Sequence, residues 1–386
     1  MRARLGCEKM DSRAALKAGT TLGFNDGWEY TITDELARGG SSIVYNAYYI
    51  DNLGARKTVR IKECYPFRCN LRRSSDGNLL IPEAERKQFT QTKQKMRRAY
   101  QLGNEFFAAD GLTNLTANTY NIYEANHTLY VVSVYAQGQE LSYDRYSSVK
   151  DSIAAVKSAA TAISKIHNKG FLYLDIKPSN ILTLEGTTEL IQLFDFDTVV
   201  PISDAPELGN KISFTKGFAA LELQRGDGKR IGTHTDVYGI GALLFYMLFD
   251  RVPDAFDCDT GARYDFSRSK LSGGAYRDAL TFRLTDFFHH TLADYYLDRF
   301  SNMETVVEKL SELQALADLS ARYVVSSKIY GPEFFLGREQ ETAWLTQRLL
   351  DAPGGCSFLV GMGGIGKSTL ARHCIRQCMS RIDSVL

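Results

Sequence analysis

The chain has 386 residues, enough for two or three domains at about 100–200 residues each, and its 44% hydrophobic and 24% charged content is that of an ordinary soluble globular protein. Lys+Arg number 46 against 45 Asp+Glu, a net charge of +1, so no basic field marks a nucleic-acid partner. Residues 1–13 are basic without the apolar stretch of a secretory leader, and the most apolar run, 240–249, falls short of the roughly 20 residues a membrane span needs. The expectation is a cytoplasmic chain with neither a membrane nor a nucleic acid as partner. Its 7 cysteines, odd in number and far apart, read as reduced thiols. Cys374 and Cys378 lack a second pair to complete a zinc site. Asp257 and Asp259 lack the glycine and closing glutamate of a calcium loop.

In chain order, residues 1–27 read as a tail leading into a strand-rich region. Residues 44–50 and 58–62, rich in β-branched and aromatic side chains, predict short strands. Phe89, Met96, Tyr100 and Phe107 fall within about 40° of one another at the helical period, which predicts one amphipathic helix over 84–107. Two strands follow, near 120–125 and 128–135. Beyond Gly138 the pattern turns helical, at 149–168, 235–249 and 302–316. Strands with one helix, then a helical half, predict a two-lobed α+β body with a cleft between the lobes. Residues 317–334 read as a linker, and a fresh unit starts near Phe335.

The most informative segment is YLDIKPSNIL at 173–182. Moving a phosphoryl group requires a carboxylate to orient the attacking hydroxyl and oxygen ligands for Mg²⁺, and a D-x-K-P-x-N string sets such groups at fixed spacing. The segment resembles the catalytic loop of protein kinases. The resemblance makes Asp175 the base, Lys177 the lysine steadying the transferred phosphate, and Asn180 a metal-binding amide. LFDFD at 193–197 resembles the turn bearing the second metal-binding carboxylate, Asp195. FAALE at 218–222 resembles the end of the activation loop, with Glu222 placed to pair with Arg299. DVYGIG at 236–241 resembles the start of the buried helix that anchors the catalytic loop. TVRIK at 58–62 matches the strand whose lysine, Lys62, grips the α- and β-phosphates. LARGGSSIVY at 36–45 resembles the loop over the phosphates, with Ala37, Gly39 and Ser42 at its glycine positions and Val44 against the adenine.

The resemblance covers residues 28–316, divided near 137 into a β-rich and an α-helical lobe. It implies a bacterial-type serine/threonine protein kinase using ATP and Mg²⁺, since Lys177 and TKG at 215–217 look like the serine/threonine branch. The chain departs from the family pattern at three places. Tyr173 and Leu174 replace His-Arg, and Asp197 replaces Gly; aspartate tolerates positive φ better than most residues, which keeps the turn available. The helix glutamate expected to pair with Lys62 is open between Glu105, Glu85 and no acid at all, with Ala99 at the position. A catalytically feeble pseudokinase acting as a regulatory or interaction module is the alternative. Leu174, where many kinases have an arginine that binds a loop phosphate, implies activity independent of activation-loop phosphorylation.

Residues 358–370, FLVGMGGIGKSTL, contain G-x-x-x-x-G-K-S from Gly361 and Gly366 to Lys367 and Ser368. The expected context is an apolar strand, a loop whose N–H groups cradle phosphates, and a helix. With FLGRE at 335–339 it resembles the opening of a signal-transduction ATPase of the kind found in nucleotide-binding immune receptors. The expectation is an incomplete α/β P-loop segment at 335–386, a second nucleotide site without hydrolysis. Self-association would run through the complete module.

Overall fold

The computed structural model describes residues 11–108, 119–134, 138–184, 191–208, 214–259, 261–271, 277–322, 337–351 and 358–378. Strands β1 (Thr21–Gly23), β2 (Glu29–Arg38), β3 (Ser42–Ile50) and β4 (Arg56–Cys64) precede a small hairpin, β5 (Arg72–Arg73) and β6 (Leu79–Leu80). Helix α1 (Arg86–Ala108) and a second hairpin, β7 (Thr119–Ala125) and β8 (Thr128–Val134), complete this half. The main sheet has six antiparallel strands in the order β1-β2-β3-β4-β8-β7. Alternation drives it: along β3, Ile43, Tyr45 and Ala47 are buried while Val44 and Asn46 are partly exposed. The β7–β8 turn sets Asn126 and His127 at φ 49° and 60°, the left-handed pair that a tight hairpin twist demands.

The helical half contains β9 (Gly138–Glu140), α2 (Val149–Asn168), β10 (Phe171–Leu172), β11 (Ile181–Leu184), β12 (Ile191–Leu193), β13 (Val200–Pro201), α3 (Leu221–Gln224), α4 (Thr233–Phe249), α5 (Arg277–Leu292) and α6 (Met303–Arg322). The Ser148 side chain accepts the Asp151 N–H at 3.0 Å and starts α2. Alanines 154, 155, 159, 160 and 162 leave α2 slim enough to pack against both α4 and α6. Helix α4 is buried nearly all round, which accounts for the apolar run at 240–249 as a core helix. Gly239 brings α4 against the 173–180 loop, because a Cβ there would lie 2.9 Å from Ile176 Cβ. Among the described residues no helix is long and apolar enough to cross a membrane.

The two-lobed α+β body and the strands and helices predicted between residues 28 and 316 are present, with shifted bounds. Helix α6 continues to Arg322, with Ala317 in the core, so the predicted connector begins later than 317. Residues 323–336 and Tyr135 lie outside the described residues. The segment read as a tail is packed in from residue 11: Leu16, Leu22 and Phe24 join the core of the β half. Helix α5 was not anticipated. Helix α1 belongs to two cores, with Phe89 and Met96 in that of the β half and Ala99, Leu102 and Phe106 in that of the helical half. Further on, α7 (Glu339–Asp351) packs on α8 (Lys367–Cys378) around Leu345, Leu370 and Cys374.

A buried carboxylate organises the β half. Glu63 is fully buried and accepts bonds from Tyr45 Oη (2.8 Å), Tyr130 Oη (2.9 Å) and the Arg73 guanidinium (2.7 Å). Arg73 in turn donates to Ala14 O at 2.8 Å and Gly77 O at 2.9 Å. Glu63→Ala removes the counter-charge of Arg73 and the acceptor of two tyrosine hydroxyls inside the protein, and is expected to cost about 3–5 kcal/mol. Urea unfolding measures it; a loss under about 1 kcal/mol would show that the network relaxes around the gap.

Candidate active site

Strand alternation puts Glu63 into the core of the β half and turns its neighbour Lys62 toward the cleft. Lys62 Nζ lies 2.9 Å from Asp195 Oδ1 and 2.8 Å from Asp197 Oδ2, so the two halves meet through one ammonium and two carboxylates. Val44 pairs with Lys62 across β3 and β4, and with Ala37 across β2 and β3. The turn between β2 and β3 is pinned from outside by Arg13, whose guanidinium donates to Gly39 O (2.9 Å), Ser42 O (3.3 Å) and Tyr65 O. From inside, Ser41 Oγ donates to Asp197 Oδ2 at 3.3 Å.

Opposite Lys62, the loop from β10 to β11 is fixed by Asp236 at the start of α4. Its buried carboxylate accepts the backbone N–H groups of Tyr173 and Leu174, each at 2.8 Å, and contacts His167 Nε2 at 2.8 Å. Leu174 is thereby held at φ 65°, a conformation that a branched side chain does not choose unaided. The next residue, Asp175, projects its carboxylate into a cluster: Lys177 Nζ at 2.7 Å and Asn180 Nδ2 at 2.9 Å on Oδ2, Thr215 Oγ1 at 3.1 Å on Oδ1. Lys177 also reaches Thr215 Oγ1 at 3.3 Å. Asn180 spends its amide nitrogen on Asp175, its backbone O included at 2.9 Å, which leaves the amide oxygen as the free donor to a ligand.

Asp195 is tied to the same loop. Phe194 N donates to Asn180 O at 3.1 Å, Tyr173 Oη donates to Phe194 O at 2.7 Å, and Thr198 Oγ1 to Tyr173 O at 2.9 Å. Tyr173 thus takes up, with its own hydroxyl, a role in the loop's hydrogen bonding. Phe196 stacks edge-on against Tyr173 and Phe106, and sits against Gly103 of α1, where a Cβ would lie 3.3 Å from its ring. Positive φ falls on Asp195 (64°) and not on Asp197, so the absent glycine at 197 costs no strain.

Burial would pull the Lys62 ammonium down, but the charges of Asp195 and Asp197 outweigh it and hold its pKa above that of an ordinary lysine. Burial raises Asp195 too, and Lys62 overcomes it to leave that carboxyl below its usual range. Asp197 is pushed up, by burial first and then by the charge of Asp195.

None of the acids considered on or beside α1 is bonded to Lys62. Glu105, the one acid of the helix, is exposed. Glu85 lies by Cys69, whose thiol is pushed up to about 11 by burial and then by that carboxylate. Ala99 lies buried on the helix's inner face, one turn before Gly103. The lysine's carboxylate partner comes from the 195–197 turn instead, a position that local pattern does not reveal. Ser41 and Arg13 were likewise not singled out, since only the folded chain brings them to the loop.

At the far end of the segment, Glu222 and Arg299 form the expected pair at 2.7 and 3.1 Å, both buried, with Thr235 Oγ1 on Glu222 at 2.9 Å. Leu174 packs with Leu172, Ala205, Ala219, Leu223 and Ile231. Ser203 Oγ donates to Asp204, while Ser213 and Lys211 lie outside the described residues. In the 361–368 loop, Gly364 and Gly366 take φ 78° and 87°, and α8 opens at Lys367 followed by Ser368. Lys367 Nζ folds back onto Gly361 O at 2.8 Å and Met362 O at 2.9 Å. The strand expected before this loop is not formed over residues 358–360: Phe358 and Val360 are exposed and unpaired, because a strand needs a neighbour to bond.

Comparison with known proteins gives a match of residues 86–270 to the protein kinase domain family. The chain is similar to serine/threonine-protein kinase D of Synechocystis sp., 31% identical over 146 residues, 36% of this chain and 28% of that one. It is similar to myosin light chain kinase 2, skeletal/cardiac muscle, of Oryctolagus cuniculus, 28% identical over 169 residues, 42% of this chain and 26% of the other. Ribosomal protein S6 kinase alpha-3 of Homo sapiens is 27% identical over 165 residues, 40% and 22% of the two chains. The matched regions span about a quarter of the length of these relatives. The family match starts with α1 and takes in Asp175, Lys177, Asn180, Asp195 and Glu222; Lys62 and the 36–45 loop precede it and are joined to it by the contacts of Lys62 and Ser41. Residues 86–270 are therefore similar to a protein kinase domain, and the relatives they resemble include a serine/threonine-protein kinase.

Proposed function

We propose that this protein transfers the γ-phosphoryl group of ATP to serine or threonine hydroxyls of a protein substrate. The observation that carries the reading is the Asp175 carboxylate, held by Lys177, Asn180 and Thr215, on a loop hydrogen-bonded to the turn whose Asp195 and Asp197 bind Lys62 of the β half. In the proposed reaction the substrate oxygen attacks the γ-phosphorus and its proton passes to Asp175. The bond from that phosphorus to the bridging oxygen breaks, and ADP leaves with the electron pair. Lys62 would hold the α- and β-phosphates, Lys177 the group in flight, and the loop at Ala37, Gly39, Ser42 and Val44 would cover the nucleotide.

The Asn180 amide oxygen and the Asp195 carboxylate are hard oxygen donors, which suits Mg²⁺. Bound there, the cation would neutralise charge on the β- and γ-oxygens. The rival reading, a regulatory module that binds without transferring, leans on the glycine-poor loop and on the acid-free inner face of α1. Two carboxylates on Lys62 weigh against it.

Asp175→Asn is expected to slow transfer by about 10²–10⁴-fold with an unchanged melting temperature, because a positioned base is worth that much. Labelled ATP, offered with the protein alone and with a generic protein acceptor, measures it. Binding of Mg-ATP without any transfer by the unaltered protein would hand the case to the regulatory reading.

Activity should not require a phosphate on the activation segment, because Leu174 joins that segment through apolar contact and offers a phosphate no charge. Phosphatase treatment, and the Ser203→Ala, Ser213→Ala double variant, should leave activity within about threefold. A loss beyond about tenfold, roughly 1.4 kcal/mol of barrier, would mean that the segment is gated by phosphate after all.

The 361–368 loop is proposed as a second phosphate site that does not turn ATP over. Lys367→Ala should leave phosphate release unchanged while Lys62→Ala abolishes transfer; a fall in turnover on Lys367→Ala alone would place hydrolysis in the tail.

A further inference from the structure

We propose that Asp197 is a positioning residue, which keeps Lys62 and the β2–β3 turn in place for the nucleotide once Asp195 is engaged elsewhere. The inference rests on the reading of Lys62 as a phosphate-binding residue. Three observations carry it. First, Asp197 Oδ2 meets Lys62 Nζ at 2.8 Å, as close as the contact with Asp195. Second, the same oxygen accepts Ser41 Oγ at 3.3 Å, so one carboxylate joins strand β4, the β2–β3 turn and the segment after β12. Third, α1, which packs behind this cluster, offers no alternative: its inner face is Phe89, Met96, Ala99, Leu102, Gly103 and Phe106, and its one acid is exposed.

The physical need follows from charge. A buried or half-buried ammonium requires a carboxylate partner. In the proposed reaction Asp195 would hold a cation with Asn180, and a carboxylate committed to a divalent ion gives little to a lysine. Asp197 is a second carboxylate that stays with Lys62 when that happens. It also explains why the position can lack glycine: the backbone there has no positive φ to accommodate, and the side chain has an ammonium to bind. Ser41 then links closure of the turn to the same group, so the lysine and the loop are set together.

The test is a double-mutant cycle read by calorimetry, with Mg²⁺ and the non-hydrolysable analogue adenylyl imidodiphosphate as the probe. Lys62→Met, Asp197→Asn and the double variant are compared with the unaltered protein, and melting temperatures confirm folding. Asp197→Asn alone is expected to weaken binding about tenfold, and to add less than about twofold in the Lys62→Met background, because it acts through the lysine. Full additivity would assign Asp197 an independent role at the cation and overturn the proposal. So would unchanged or tighter binding by Asp197→Asn, the latter being what simple repulsion of phosphate predicts. If Lys62→Met itself leaves binding unchanged, the reading of Lys62 has failed and the proposal falls with it. Should Asp197→Asn not fold, Asp197→Glu, which keeps the charge, must bind within about threefold of the unaltered protein; a larger loss in a folded Asp197→Glu protein overturns the idea.

Discussion

The carboxylate of Asp236 is the constraint on which the geometry around Asp175 depends. Leu174 sits in the left-handed region, which costs an L-residue about 1–2 kcal/mol. Two backbone N–H groups bonded to Asp236, at 2.8 Å each, offset that cost and turn the chain so that Asp175 faces the cleft. The effect propagates. Asn180 receives Phe194 N on its carbonyl, Phe194 receives Tyr173 Oη, and Asp195 follows at the end of that line. One residue earlier on α4, Thr235 donates to Glu222, the partner of Arg299. The start of a single apolar helix therefore fixes both the 173–180 loop and the turn at Glu222.

Across the cleft the joint is electrostatic. One ammonium and two carboxylates, all partly buried, leave one negative charge in excess, which favours a cation beside them. Lys62 belongs to a sheet strand and Asp195 to a segment hydrogen-bonded to the catalytic loop, so relative displacement of the halves stretches these contacts first. Helix α1 adds a mechanical link, since its two ends are buried in different cores.

What the sequence disclosed follows from how local each signal is. The strands at 42–50 and 56–64 and the helix at 149–168 announce themselves by alternation or by the 3.6 period. The loop around Asp175 is recognisable because Asp175, Lys177 and Asn180 lie within six residues of chain. Glu222 and Arg299 are far apart, and only the order of motifs made that pair legible. The partner of Lys62 escaped because a carboxylate 135 positions away closes the pair, and nothing in the period of α1 reports its absence from the helix. Helix α5 escaped although Leu280, Leu284, Phe287, Phe288 and Leu292 recur at helical spacing on its buried face, because the exposed Phe282 on the opposite side blurs that stripe. The first packed segment looked like a tail because Arg13 and Leu16 acquire their meaning only from backbone carbonyls and a tyrosine contributed by later strands.

That last feature bears on how the molecule is made. Arg13 bonds to carbonyls as distant as Tyr65, Leu16 N donates to Tyr45 Oη, and the carbonyl of Ala14 waits for the Arg73 guanidinium. On a ribosome adding about 5–20 residues per second, residue 73 follows residue 13 by about 3–12 s. Until then residues 13–16 have no site to enter, so they settle only after strands that follow them in the chain. A chaperone or a fused neighbour that occupies them during that interval would delay the whole β half.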